Sequence, residues 1–167
     1  MVSGAEPSVR DVMRNEVPTA SPTTPIAELA RLMVEHRVPG LPVIAEGELV
    51  GIVTEADLIQ REAAVDVPSI ATFLDAVIVA DAGTPFEEEL RRVVATTAEE
   101  LMTSPVISIR DSATVAELAT LMLQQRVNPV PVVDDARQIV GLATRSGLVE
   151  LIAQLETVSA PRETGGS

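Results

Sequence analysis

The chain repeats itself, and no other feature constrains its fold as much. Residues 11–44 (DVMRNEVPTASPTTPIAELARLMVEHRVPGLPVI) align with 100–133 (ELMTSPVISIRDSATVAELATLMLQQRVNPVPVV) at an offset of 89. Met13 meets Met102, the AELA of 27–30 meets that of 116–119, and Leu32-Met33 meets Leu121-Met122. Arg37-Val38 meets Arg126-Val127, and Pro42-Val43 meets Pro131-Val132. The offset then becomes 90, so that GIVTEAD (51–57) faces GLATRSG (141–147). The added residue falls in a polar stretch between Val133 and Gly141, where a hairpin turn tolerates it. Each copy has about 50 residues, too few to bury a core alone. Two copies facing each other cover both apolar faces, so the pair is the expected folding unit.

Period and punctuation give the elements. Residues 17–21 and 106–110 read as short strands. Ile26, Leu29, Ala30 and Met33 then fall at helical spacing, as do Val115, Leu118, Ala119 and Met122. Thr23 or Thr24 can cap the first helix, with Pro25 near its first position. Pro39 and Pro129 prevent either helix from running on. Two strands follow in each copy, LPVI with LVGIV and VPVV with IVGLA, and a second helix opens at Thr54 or Thr144. Each copy is thus strand, helix, strand, strand, helix. The predicted layout is a polar end (1–8), a first unit (9–63), an intervening segment (64–98), a second unit (99–159) and a polar tail (160–167). Both ends are expected to be disordered. The intervening segment is too long and apolar (IATFLDAVIVA, 70–80) for a free linker. Capping-box patterns at Thr84–Glu87 and Thr97–Glu100 and the run EEELRRVVA make it partly helical, packed on the pair or on another subunit.

Composition removes several classes of function. Net charge is −13, and every basic residue is arginine. Such a chain repels phosphate backbones at long range, which argues against nucleic acid as a partner. A single nucleotide is still admissible, because a few local arginines outweigh a distant field that salt screens. The only aromatics are Phe73 and Phe86, so the stacking platforms of single-strand binders are missing. There is no cysteine for a disulfide, a thiol nucleophile or a thiolate metal site, and the lone His36 cannot build a histidine cluster. No apolar run approaches a membrane span, and no basic-then-apolar leader opens the chain. The expectation is a cytoplasmic protein that meets no membrane, holds no metal and carries no catalytic constellation.

The threonine and acid of GIVTEAD admit two readings. Thr54 can be an N-cap with Asp57 one turn in, near the positive end of the helix dipole. Alternatively, the free N–H groups of that helix start form an anion site, with Thr54 facing a phosphate and Asp57 accepting from two adjacent sugar hydroxyls. The second copy keeps Thr144 but has Gly147 in place of the acid.

In these residues the duplicated unit resembles the CBS domain, named for cystathionine beta-synthase and found as tandem pairs. DVM and ELMTSPV, IAELARLM and VAELATLM, RVPGLPVI and RVNPVPVV, and GIVTEAD and GLATRSG carry the likeness. The resemblance implies an α+β fold of two βαββα units packed as a pseudo-two-fold pair, with two clefts, often dimerised into a disc. It implies AMP, ADP, ATP or S-adenosylmethionine as a regulatory ligand, with no cofactor required. Carried over by position, Asp57 would hold the ribose hydroxyls and Thr54 would touch ribose or phosphate. The backbone of Val17, Pro18, Thr19 and Ala20 and of Val38, Pro39, Gly40 and Leu41 would line the adenine. Thr144 matches, but Gly147 should leave the second cleft weak or empty. Arg145, Arg37 and Arg126 are candidate phosphate partners, or else solvated ion-pair residues.

The remaining conspicuous residues read as structural. His36 is expected to be exposed at a helix end, Met13, Met33, Met102 and Met122 to fill the core, and Glu87–Glu89 to form a solvated face. The expected function is a ligand-sensing homodimer that signals through its dimer or a protein partner; the alternative is a scaffold whose clefts stay empty.

Overall fold

The computed structural model describes residues 6–65 and 95–159. The capping box at 84–87, the run EEELRRVVA up to Val94, the apolar stretch 70–80, the acidic cluster 87–89 and the tail 160–167 lie outside the described residues. The described chain is α+β: α1 (Ile26–His36), β1 (Gly40–Ala45), β2 (Glu48–Thr54), α2 (Glu55–Val65), α3 (Ala98–Leu101), β3 (Ile109–Arg110), α4 (Val115–Gln125), β4 (Val130–Val133), β5 (Ile139–Ala143) and α5 (Arg145–Ser159). A single 3-10 turn, Val9–Asp11, precedes them. No helix among the described residues is long and apolar enough to cross a membrane.

The polypeptide condenses into two units that do not follow the sequence copies. One unit joins residues 1–17 to 107–167, and the other is 18–106. Each copy's opening segment therefore packs with the body of the other copy. In the unit holding the second body, Arg14 bridges Leu142 and Met13 lies on Gly141. In the unit holding the first body, Thr103 bridges Ile52 and Met102 lies on Gly51. A Cβ on Gly141 would sit 2.4 Å from the Met13 sulfur, and one on Gly51 2.2 Å from that of Met102. These two glycines recur because a methionine needs the space.

The cores are built alike. One consists of Val9, Val12, Leu118, Met122, Val130, Val132 and Ala143. Every one of these has a buried counterpart in the other unit: Ala98, Leu101, Leu29, Met33, Leu41, Val43 and Val53. Burial of each large side chain contributes about 1.5–3 kcal/mol. Met33 and Met122 are core residues, whereas Met13 and Met102 are half-buried over the glycines.

β1 and β2 pair antiparallel through a two-residue turn, Glu46-Gly47, with φ of 50° and 78°. That is the handedness a tight hairpin needs. β4 and β5 repeat the pairing, and the added residue lies in a wider turn closed by Asp134 and Gln138. Both hairpins have a register shift at the matched place, Val43/Ile44 and Val132/Val133.

Three local expectations are corrected. The strand expected at 17–21 is one parallel bridge, Ala20 to Val43, and that at 106–110 is the two-residue β3 beside β4. Isolated strand residues form only where a neighbour supplies the ladder, here Pro42 O and Ile44 N around Ala20. Neither Thr23 nor Thr24 caps α1. Pro25 is the N-cap, and the Thr24 hydroxyl accepts from Ser21 N–H at 2.9 Å. Thr97 caps α3 without a side-chain hydrogen bond, because Glu100 turns to Thr96 N–H at 2.6 Å. α4 has the full capping box, between Thr114 and Glu117. The helices stop before the prolines, at Arg37 and Arg126 in left-handed conformation, after which Val38 and Val127 donate back to Met33 and Met122.

Candidate functional site

At the first copy's strand-to-helix junction, β2 ends at Thr54 and α2 starts at Glu55. Asp57 faces back along the helix: its Oδ2 accepts from Thr54 N–H at 2.8 Å and from the Thr54 hydroxyl at 3.1 Å. The side chain is only 8% exposed. Burying a carboxylate is costly unless it is hydrogen-bonded, and these two bonds, with the helix dipole, meet that need. Oδ1 takes no hydrogen bond from the protein among the described residues, and no buried polar side-chain atom of the described chain lacks a partner. Oδ1 is therefore open to solvent. An ionised carboxylate offers about four acceptor positions. Two are used here, so two are left, enough for a pair of neighbouring hydroxyls.

The loop entering β1 closes the same junction. Glu55 N–H donates to Pro39 O at 2.9 Å, Gly40 pairs with Thr54, and Leu41 pairs with Val53. Val38 and Leu41 are buried. On the far side of β1, Ala20 bridges Val43. Thr19 is exposed. The structure thus brings Thr54, Asp57, Pro39, Gly40 and Leu41 to one end of one small sheet, with Ala20 further along β1 at Val43. Val17 is the last residue of the other unit.

The second copy is closed by different groups. Thr144 is buried, and its hydroxyl accepts from Gly147 N–H at 3.1 Å. Arg145 N–H donates to the Asn128 side chain at 3.0 Å, the task that falls to Pro39 O in the first copy. A Cβ on Gly147 would lie 2.7 Å from Val12 O. A side chain at this position would therefore meet the backbone of the swapped opening segment. The side chains of Arg145 and Arg126 are exposed, and Arg37 is exposed with an interaction of its own. His36 is likewise exposed at the end of α1. No group of three or more His, Cys, Asp or Glu able to hold a metal occurs among the described residues.

Asn128 and Val12 were not among the residues singled out from the sequence. The mismatch of Pro39 with Asn128 across the copies signals the first. Val12 acts through its backbone, which no residue type announces.

Known proteins share this fold. A profile of the CBS domain matches residues 9–64 and 98–154. Over 147 residues the chain is 31% identical to a homoserine O-acetyltransferase of Methanosphaerula palustris, a match spanning 87% of this chain and 24% of that protein. A crystal structure of CBSX2, an Arabidopsis thaliana protein, in complex with AMP superposes with a TM-score of 0.72 at 27% identity, covering 90% of this chain and 99% of that one. The CBS domain pair of protein MJ0100, in complex with 5′-methylthioadenosine and S-adenosyl-L-methionine, superposes at 0.68 with 26% identity, again covering 90% and 99%.

Proposed function

This chain belongs to the CBS domain family, and on that premise we propose that it is a non-catalytic regulator that binds an adenosine-containing ligand at its first copy. The observation that carries the reading is Asp57, a buried acid with one oxygen fixed to its helix and the other left open. That oxygen takes the ribose hydroxyls, and the backbone of Pro18, Thr19 and Ala20 and of Val38, Pro39, Gly40 and Leu41 lines the base. AMP in the CBSX2 complex and the two sulfur nucleosides in the MJ0100 complex support the class of ligand.

A thermal-shift panel with AMP, ADP, ATP and S-adenosylmethionine, read by circular dichroism because there is no Trp or Tyr, tests this. A ligand at 100 times its Kd should add about 2.7 kcal/mol, raising Tm by roughly 5 to 10 °C. No shift with any of the four would favour a scaffold, the reading that the filled junction of the second copy supports for that half.

The regulator works in the cytoplasm as a homodimer. Large apolar side chains are exposed at matched places in both copies, Val34 with Leu123 and Ile59 with Val149. Duplicated exposure of this kind suits a second copy of the chain as its cover. Sedimentation velocity should show a dimer that Leu123→Glu with Val149→Glu dissociates; a parent that sediments as a monomer removes this part of the reading.

A further inference from the structure

We propose that the site at Asp57 selects adenosine compounds whose 5′ substituent carries no net negative charge. The inference rests on the reading that Asp57 holds the sugar. A helix start binds phosphate through unclaimed N–H groups. At α2 the first of these is taken, because Glu55 N–H donates to Pro39 O, and the Thr54 N–H and hydroxyl beside it both donate to Asp57. The junction also carries two acids, buried Asp57 and exposed Glu55, the latter at the first position of the helix.

The second copy has Arg145 where Glu55 stands, but lacks the acid. The acid that suits a sugar and the cation that suits a phosphate have thus separated onto different copies. Arg37, two residues before Pro39, is the cation of the first-copy loop. Among the described residues of this junction, Arg37 against Asp57 and Glu55 leaves a net negative charge, in a chain of net charge −13. A 5′-phosphate on a sugar gripped by Asp57 cannot move far from either carboxylate. A neutral nucleoside escapes that repulsion, and a sulfonium reverses its sign.

Isothermal titration of the full chain with adenosine, S-adenosylmethionine, AMP and ATP tests the idea. Adenosine or S-adenosylmethionine should bind about tenfold or more tightly than ATP, and the gap should narrow at high salt. Glu55→Gln, and more so Glu55→Arg, should raise ATP and AMP affinity about threefold or more while leaving adenosine unchanged. ATP or AMP binding more tightly than both uncharged and cationic compounds would overturn the selectivity and leave the role of Asp57 standing. So would Glu55 variants with the parent's ranking. Failure of all four compounds to bind would remove the ligand reading and the selectivity with it.

Discussion

Asp57→Ala is expected to weaken binding of the adenosine ligand by about 30- to 1000-fold, the ~2–4 kcal/mol of two hydrogen bonds to a charged acceptor. It should also lower stability by about 1 kcal/mol, because Oδ2 serves the start of α2. Asp57→Asn separates the two effects. Its amide oxygen can still accept from Thr54 N–H, while its NH2 presents donors where the sugar needs an acceptor. The asparagine variant should therefore melt close to the parent yet bind as poorly as the alanine variant. Titration calorimetry and circular dichroism melts read both quantities. Parental affinity in both variants would show that the acid serves its helix alone.

The second large effect is expected at Gly147. Helix propensity alone makes Gly147→Ala stabilising by about 1 kcal/mol. The carbonyl of Val12 lies 2.7 Å from the position of the new Cβ, and a backbone atom cannot swing aside. The sign should reverse, with a loss of about 1–3 kcal/mol for alanine and at least as much for aspartate. Gly147→Asp restores the spacing of GIVTEAD in letters only. It should not raise the stoichiometry above the one ligand per chain proposed for the parent. A stable Gly147→Asp protein that takes up a second ligand would refute the view that the swapped segment fills this position.

Much of this molecule is legible before any coordinates. The matched core positions follow from helical spacing and duplication, because apolar burial is periodic and the copies share a period. The hairpins and the place of the added residue follow from polar punctuation. Thr54 and Asp57 are legible as a pair, but the two readings of them are not exclusive: one carboxylate oxygen caps the helix and the other stays open. Thr24 reads as a cap of α1 in the sequence, but its hydroxyl is taken by Ser21 N–H. The swap was hidden for a deeper reason. Aligning two copies says which residues are equivalent, not which opening segment lies on which body. Val12 could be assigned to Gly147 only after that choice was known.

The chain crosses between its two units twice, between residues 17 and 18 and between 106 and 107. One unit is contiguous but lies between the two segments of the other, so no single cleavage can release either intact. Excision at the repeat boundary would yield a fragment with an unfilled notch at Gly51 and a stranded Met13. To isolate the unit that carries Asp57, residues 18–106 must be kept together; to isolate the other, residue 17 must be ligated to 107.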